Sequence, residues 1–243
     1  MIPQAKTSTA DIPRHLAVIC DGNRRWAQSH GMEVFKGHQY ATEKVFEPLI
    51  EAAIGEGIEY LTFWIFSTEN WRRPQHEVDF LLGLLRSFFD KQIERLHEQG
   101  IRLQMIGDKS AFDQDIQDKI SWAIEQTKDN TRIQVTLAMN YGGHDELVRA
   151  TRRLAERVAA GELEPSQIEA EQLAAELDTT RIGLPDPDLV VRTSGEQRLS
   201  GFMSWQVEYA ELIFADWHFP EFGPEKLREV VEEYGRRQRR FGG

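Results

Sequence analysis

The chain has 243 residues, of which 40% are hydrophobic, and this is enough to enclose the core of one sizeable domain. Its formal net charge of −11 excludes the broad basic surface that general nucleic-acid binding requires, so no nucleic-acid partner is expected. A single cysteine, Cys20, excludes an internal disulfide framework, and the lack of a signal-peptide pattern or of roughly 20 consecutive apolar residues predicts a cytoplasmic protein without a transmembrane segment.

Residues 1–13 lack hydrophobic periodicity and contain Pro3 and Pro13, which predicts a flexible N-terminal tail before a domain over residues 14–243. An apolar run from Leu16 to Cys20 then predicts a buried strand, because it is too short for a helix. Further short apolar runs predict strands at 58–66, 101–106, 132–139, 188–192 and 211–215.

Apolar residues at helical spacing, ended by glycines, predict helices between these strands. The predicted segments are a short turn at 26–30, one helix from residue 38 that Gly55 and Gly57 end, and a long helix between the polar loop 67–75 and Gly100. They continue with helices at 110–127 and 144–160, one short helix near Leu173 and a closing helix at 224–240. Strands that alternate with helices are typical of a parallel sheet covered on both faces. We therefore expect a single-domain α/β fold with a central, mostly parallel six-stranded sheet flanked by helices.

Polar residues directly follow several of the predicted strands. They are Asp21 after the first strand, 67–70 after the second, 140–141 after the fourth and 192–198 at the end of the fifth. Because the carboxyl ends of parallel strands lie at one edge of a sheet, these residues are expected to converge there.

The first of these groups is Asp21-Gly-Asn-Arg-Arg-Trp26. Gly22 allows a sharp turn or a close approach of the backbone to a ligand, and the residues after it can begin a helix, whose N-terminus favours anions. A carboxylate beside two guanidinium groups suits a magnesium-bound phosphate, with Asp21 facing the metal and Arg24 and Arg25 facing the oxygens. The spacing alone fits a solvated charge cluster on a surface turn equally well.

The second group contains Arg192 and Arg198, followed by Ser200. Two guanidinium groups can bind a diphosphate through forked, charge-assisted hydrogen bonds. Salt bridges to Glu196 and its neighbours are the alternative interpretation of the same residues.

The chain resembles the cis-prenyltransferases, the undecaprenyl diphosphate synthase-like family, in blocks that occur in the family's order from about His15 to the C-terminus. The blocks are His15 to Trp26, Gly37-His38, Phe66 to Pro74, Asn140 to Gly143, Arg192 to Arg198 and Tyr209 to Glu211. The resemblance implies a fold with a hydrophobic tunnel and a homodimer. It also implies Mg²⁺-dependent prenyl transfer between isoprenyl diphosphates with release of pyrophosphate.

The resemblance further implies roles for individual residues. Asp21 matches the residue that carries magnesium on the allylic diphosphate, and Glu211 matches a second metal-binding carboxylate that some members contribute across a dimer interface. The implied catalytic residues are Asp21, Asn23, His38, Ser67 and Asn70. The implied substrate-binding residues are Gly22, Arg24, Arg25, Trp26, Phe66, Glu69, Trp71, Arg73, Arg192, Arg198 and Ser200.

Several of these residues also have ordinary structural interpretations. Without the resemblance, His38 fits a capping or surface histidine, Trp71 fits packing within a loop, and Glu211 fits a surface charge at the start of a strand. The C-terminal Arg240-Phe241-Gly242 resembles an ending that completes a neighbouring subunit's site in some members, although a basic cluster at the end of a helix also suits the helix dipole.

The chain departs from the family's pattern on the side of the allylic diphosphate. Val34 stands where an arginine is common, and Arg24 stands where glycine is frequent. Bulky side chains are expected on the tunnel wall and predict a short product of one or two condensations, because packed cores yield little to a growing chain. These side chains are Trp64, Ile65, Phe88 and Phe89.

Three functions are consistent with the motifs. The first is regular cis head-to-tail condensation of an allylic diphosphate with isopentenyl diphosphate. The second is irregular head-to-middle coupling of dimethylallyl-type diphosphates, with a lavandulyl-type product that is cyclised in some relatives. The third is a non-catalytic accessory subunit, although such chains lose the aspartate and several arginines that stand here as Asp21, Arg192 and Arg198. A lipid-like product also implies transient contact with a membrane.

Overall fold

The computed structural model describes residues 12–237, and these contain one six-stranded sheet in the order β3-β4-β2-β1-β5-β6. Every neighbouring pair of strands is parallel. The strands are β1 His15–Ile19, β2 Tyr60–Ser67, β3 Ile101–Ile106, β4 Ile133–Tyr141, β5 Leu189–Arg192 and β6 Glu211–Phe214. The predicted α/β fold with a central sheet is confirmed.

Helices connect the first five strands and cover both faces of the sheet, while β5 and β6 are joined by a segment of turns. They are α1 Asn23–Ser29, α2 Lys36–Lys44, α3 Phe46–Glu56, α4 Gln75–Glu98, α5 Gln114–Thr127, α6 Gly143–Ala159, α7 Ala170–Ala175, α8 Asp178–Arg181 and α9 Pro224–Arg236. Among residues 12–237, none of these helices combines the length and the apolar composition that crossing a bilayer requires.

Alternate residues of the strands supply two separate hydrophobic clusters, one on each face of the sheet. In β1, Leu16 and Val18 belong to the larger cluster, which includes residues of α2 to α5 and of α9. Ala17 and Ile19 belong to the smaller cluster on the opposite face, where Phe202 is fully buried. The sheet is therefore buried on both faces, which explains the nearly continuous apolar runs of its strands.

The single helix predicted from residue 38 to Gly55 and Gly57 is wrong, because two helices occupy this segment. They meet at Val45, and Pro48 explains the break, since proline has no N–H to donate to the carbonyl of Lys44. The second helix continues through Gly55 and ends at Gly57, as predicted for the second of these glycines, whose φ of 86° is the left-handed conformation that glycine adopts without strain.

The observed boundaries of the other helices and loops lie closer to the predicted ones. The predicted loop 67–75 contains a 3₁₀ helix over Thr68–Arg72, in which Ser67 N–H donates to Asn70 Oδ1 at 3.0 Å. The acidic stretch predicted to hold one short helix holds both α7 and α8. The first turn begins three residues earlier than predicted, at Asn23, because Gly22 adopts a left-handed φ of 95° just before it.

The chain ends lie partly outside the described residues. Of the tail predicted over residues 1–13, only Ile12 and Pro13 are described; Ile12 packs against the larger cluster and Pro13 is buried. The C-terminal Arg240-Phe241-Gly242 lies outside the described residues, and so does the end of the predicted closing helix beyond residue 237. The tail and the C-terminal motif stay predictions.

A fully buried histidine joins β1 to two neighbouring segments. His15 Nδ1 lies 2.7 Å from the carbonyl oxygen of Pro185, and Nε2 lies 2.9 Å from Thr62 Oγ1. Because a carbonyl oxygen only accepts, Nδ1 carries the proton, and Nε2 accepts from the Thr62 hydroxyl. Burial lowers the pKa of His15 to about 4, so the folded protein holds this imidazole neutral.

This histidine predicts a loss of stability in mild acid. The unfolded chain protonates His15 near pH 6.5, so between this pH and about 4 the unfolded state binds more protons, and the free energy of unfolding falls as the pH falls. We expect His15→Gln, which cannot titrate, to remove up to about 3 kcal/mol of the stability difference between pH 7.5 and pH 4.5 in urea unfolding. The exposed His144 is the matched control, and an equal effect of His144→Gln would contradict the assignment.

Candidate active site

A cavity of about 250 Å³ opens at the carboxyl edge of the sheet, where the polar residues after the strands were expected to converge. Polar side chains from four separate segments line it. They are Asp21 after β1, Asn23 and His38 on α1 and α2, Ser67, Asn70 and Arg73 after β2, and Arg192 at the end of β5. The structure thus brings together the catalytic residues implied by the sequence with two of the implied arginines.

Apart from Thr42, the rest of the cavity wall is apolar. It is formed by Ile19, Cys20, Ala41, Phe46, Trp64, Ile65, Phe66, Leu81, Leu84, Leu85, Phe88, Leu137 and Phe219. Most of these side chains come from α2 to α4 and from the strands below them, on the face of the larger hydrophobic cluster. The site therefore combines a charged mouth with an apolar interior, which is the pattern of a pocket for an amphipathic ligand.

Asp21 is held in place by its backbone, and its carboxylate faces arginines. Asp21 N–H donates to Thr193 Oγ1 at 3.0 Å, and its carbonyl accepts from Phe219 N–H at 2.9 Å. Oδ2 accepts from Arg192 Nη2 at 2.9 Å, while Arg25 Nη2 lies 3.4 Å from Oδ1. In this geometry each carboxylate oxygen faces one guanidinium group.

Gly22 is required by the close packing of this turn. Its φ is 95°, and a Cβ at this position would lie 2.7 Å from His218 Nδ1 and 2.9 Å from Ser194 Cβ. Its N–H donates to Asp21 Oδ1 at 2.7 Å, so the turn also orients the carboxylate. A side chain at position 22 would therefore displace the aspartate.

Arg192 is the most enclosed cation of the site, with a residue exposure of 5%. Its Nη1 donates to Ser200 Oγ at 2.8 Å and to the carbonyl of Arg198. Ser200 therefore holds an arginine in this structure. The Arg198 guanidinium pairs with Glu196, as the salt-bridge interpretation predicts, whereas Arg192 pairs with Asp21.

His38 lies on the cavity wall in a strongly positive environment. Burial is the main cause that lowers the pKa of His38 to about 4, and the charges of Arg73 and Arg24 contribute to the same shift. The imidazole is therefore neutral near pH 7 and can accept a proton or a hydrogen bond. The preceding residue, Gly37, packs α2 against α1 so closely that a Cβ there would lie 1.9 Å from the carbonyl oxygen of Asn23.

Some residues implied by the resemblance lie away from the cavity. Trp71 packs between Phe66 and Phe112 and donates from Nε1 to Asn140 Oδ1 at 2.8 Å, which is the loop-packing interpretation. Glu69 is exposed beyond the cavity wall. The Trp26 ring lies between His30 and Tyr40, with ring centroids 4.3 Å and 4.6 Å away.

Glu211 lies at the opposite edge of the sheet from Asp21 within one chain. It begins β6 and pairs with Leu189 at the amino end of β5, whereas Arg192 is at the carboxyl end. Its carboxylate is 3.0 Å from Arg237 Nη1. A shared metal site with Asp21 in the same chain is excluded by this geometry.

Three of the four residues expected on the tunnel wall, Trp64, Ile65 and Phe88, line the cavity. The Trp64 indole also stacks on Phe202 on the other face of the sheet, and Nε1 donates to the carbonyl of Tyr141 at 3.1 Å. Phe89 is 2% exposed within the core and is not part of the cavity wall.

Other residues of the site were not predicted from the sequence. Thr193 anchors Asp21, and Glu77 pairs with Arg24 at 3.3 Å between Oε2 and Nη1. Phe46 and Leu85 line the cavity, but their helical spacing is the same as that of ordinary core residues, so no signal distinguishes them. An acidic residue in the first turn of a helix, such as Glu77, is likewise expected from the helix dipole alone.

The side chains at the mouth include ligands for a divalent cation. Among residues 12–237 no three acidic, histidine or cysteine side chains come together as a metal cage. Magnesium, however, is commonly bound by one or two carboxylates together with substrate phosphates, and Asp21 supplies one carboxylate on the cavity wall. The residues present therefore fit magnesium that arrives with a phosphorylated ligand.

Comparison with protein families and solved structures agrees with the fold. Residues 19–242 match the family described as "Putative undecaprenyl diphosphate synthase". An isoprenyl transferase of Rhizobium meliloti (strain 1021) is 46% identical over 96% of this chain and 94% of that protein. The isoprenyl transferase of Clostridium perfringens is 43% identical over 96% of this chain and 90% of that protein.

Two solved structures have the same fold. The lavandulyl diphosphate synthase from Lavandula x intermedia, in complex with dimethylallyl diphosphate, superposes with a TM-score of 0.92 at 37% identity, covering 96% of this chain and 100% of that one. A "probable undecaprenyl diphosphate synthase" from Campylobacter jejuni has a TM-score of 0.79 at 34% identity, covering 95% and 99%. With the family match over nearly its whole length, this chain belongs to the undecaprenyl diphosphate synthase family of prenyltransferases.

Proposed function

We propose that this enzyme transfers a prenyl group from an allylic diphosphate to isopentenyl diphosphate by cis head-to-tail condensation, in one or two cycles, with release of pyrophosphate. The observation that carries the proposal is a single cavity whose mouth holds Asp21, Arg73 and Arg192 and whose interior is apolar. Guanidinium groups suit diphosphates, and the apolar wall suits a hydrocarbon chain. Such a site argues against a non-catalytic accessory subunit.

The two ends of the mouth suit two different diphosphates. Arg192 is fixed by Ser200 on the β5 side and, with Arg198, would bind the homoallylic diphosphate. Arg24, Arg25 and Arg73 would bind the allylic diphosphate, whose chain would enter the cavity beside Phe66. Asp21 would hold magnesium, which when bound offsets the negative charge that develops on the departing pyrophosphate.

The chemistry needs one carbon–oxygen bond of the allylic diphosphate to break and one carbon–carbon bond to form at the terminal alkene carbon of isopentenyl diphosphate. One proton then leaves the carbon between its double bond and its oxygen-bearing carbon, and the double bond moves there. Asn23, Ser67 and Asn70 lie on the cavity wall and would orient the homoallylic group near the allylic carbon. His38 is neutral because burial lowers its pKa to about 4, so it is able to accept a proton in this step.

Irregular head-to-middle coupling is the second candidate function. It is favoured by the likeness to a lavandulyl diphosphate synthase, a structure solved with dimethylallyl diphosphate. Val34, in place of a common arginine, is consistent with a changed allylic side. Both candidate reactions would use the same charged mouth, so the two can be distinguished only by the structure of the product.

Product analysis by mass spectrometry tests the function. With magnesium, we expect an allylic diphosphate and isopentenyl diphosphate to give a product of one or two added isoprene units. Dimethylallyl diphosphate alone should give no product, whereas conversion to a branched product would identify irregular coupling.

Asp21→Ala should reduce turnover by more than about a hundredfold, because the charge that develops on the leaving pyrophosphate loses its metal site. The circular dichroism spectrum of this variant should be unchanged.

Cavity size predicts which residue limits the product. A cavity of about 250 Å³ is below the usual range for small-molecule sites, roughly 300–1,000 Å³, and Phe88 forms part of its wall. We expect Phe88→Ala to shift the product distribution towards longer chains by at least one isoprene unit. Phe89→Leu, a change in the neighbouring core residue, should leave the distribution unchanged. Wild-type products of about eight or more isoprene units would contradict the limit on product length inferred from the side chains of the cavity wall.

We further propose that the enzyme acts as a homodimer in which Glu211 serves the partner's site as the second metal-binding carboxylate. Within one chain Glu211 and Asp21 lie at opposite edges of the sheet, so joint metal binding requires a second copy. In two-fold dimers the same surface of each copy meets the other, so one contact places this carboxylate in both sites.

Mixing two inactive variants tests this arrangement. Asp21→Ala and Glu211→Ala should each lose activity alone. After the two are unfolded and refolded together, about a quarter of the wild-type rate should return, because half of the dimers are mixed and each contains one intact site. Mixing Asp21→Ala with Asp21→Asn is the control and should restore nothing. No recovery in the first mixture would contradict the shared site.

A further inference from the structure

Two guanidinium groups from separate segments approach one enclosed carboxylate beside the cavity mouth. Glu77, in the first turn of α4, has its Oε2 3.3 Å from Nη1 of Arg24 on α1 and 4.0 Å from Nη1 of Arg73, just before α4. The Glu77 side chain is 11% exposed, whereas that of Arg24 is 50% exposed. We call these three side chains the Glu77 cluster.

The Glu77 cluster lies on the side of the mouth formed by α1, α2 and α4. Arg73 itself lines the cavity, as does His38, and the charges of both Arg24 and Arg73 lower the pKa of His38. Arg192 and Arg198 lie on the other side, where β5 ends. The mouth thus has two groups of cations, and the Glu77 cluster is the group beside the helices of the apolar wall.

Charge balance explains why a carboxylate is needed there. Two neighbouring guanidinium groups repel each other, and burial already disfavours the charge on Arg73, since its pKa is lowered. One carboxylate between them offsets this repulsion and leaves the cluster with a net positive charge. Each guanidinium has five N–H donors, so one bond from Arg24 to Glu77 leaves other donors for a ligand.

We propose that Glu77 is a positioning residue that holds Arg24 and Arg73 together so that both donate to the diphosphate of the allylic substrate. The inference rests on the proposed function, because the allylic chain is the one that occupies the apolar cavity next to Arg73. Without the carboxylate, the half-exposed Arg24 side chain is free to turn into water. Glu77 touches neither the cavity nor the reacting atoms.

Steady-state kinetics of Glu77→Gln tests the proposal, because glutamine keeps the size of the side chain and removes its charge. We expect the KM for the allylic diphosphate to rise about tenfold, the effect of losing one charge-assisted hydrogen bond. The KM for the second diphosphate should change by less than about twofold, because Arg192 and Arg198 are unaffected. Glu77→Asp should restore part of the loss.

Glu59→Gln is the matched control. It makes the same chemical change in a 2.7 Å ion pair with Arg14, at the amino end of the sheet, and should change neither KM. Arg24→Gln should also raise the KM for the allylic diphosphate, and the double variant should raise it by less than the product of the two single effects, because both changes remove the contact between Glu77 and Arg24. Equal rises in both KM values, or an unchanged allylic KM, would show that Glu77 is only structural.

Titration calorimetry with the allylic diphosphate alone, in EDTA and without the second substrate, separates this inference from the proposed function. A dissociation constant about tenfold higher for Glu77→Gln than for the wild type supports the positioning role even if no product forms, in which case only the proposed reaction is wrong. Equal dissociation constants overturn the positioning role even if the wild-type enzyme condenses its substrates normally.

Discussion

The ion pair between Asp21 and Arg192 is the interaction on which the site depends. It joins the ends of two adjacent parallel strands, with 2.9 Å between Nη2 and Oδ2. Thr193 ties the Asp21 backbone to the same segment, and Ser200 holds the other nitrogen of the arginine. A buried arginine without its carboxylate would be costly, so the pair also fixes the geometry of the mouth before any ligand is present.

The cavity connects this charged edge to the hydrophobic core. Its apolar wall comes from the larger cluster that α2 to α5 form over one face of the sheet. Because protein interiors are packed to nearly crystalline density, side chains such as Phe88 set a firm limit to the space for a hydrocarbon chain. The charged mouth and the apolar interior of the cavity are therefore built by different layers of one fold.

A local irregularity in β2 decides which side chains face the cavity. The register with β4 shifts between Trp64 and Phe66, so the strict alternation of the strand is interrupted there. Ile65 and Phe66 consequently both lie on the side of the larger cluster, while Trp64 stacks on Phe202 across the sheet. Alternation in the sequence alone assigns such neighbours to opposite faces.

The amino-acid sequence by itself determined the sheet, its connection by helices and the edge at which Asp21, Ser67 and Arg192 meet. Apolar periodicity is a local property that reveals the strands, and a parallel sheet places the residues at their carboxyl ends along one edge. Only the tertiary structure decided that Glu77 pairs with Arg24, that Ser200 holds Arg192 and that Glu211 lies at the opposite edge of the sheet from Asp21. These facts depend on contacts between segments distant in the chain, on the register of β2 and on the helix break at Pro48. No spacing of residues within one segment encodes them.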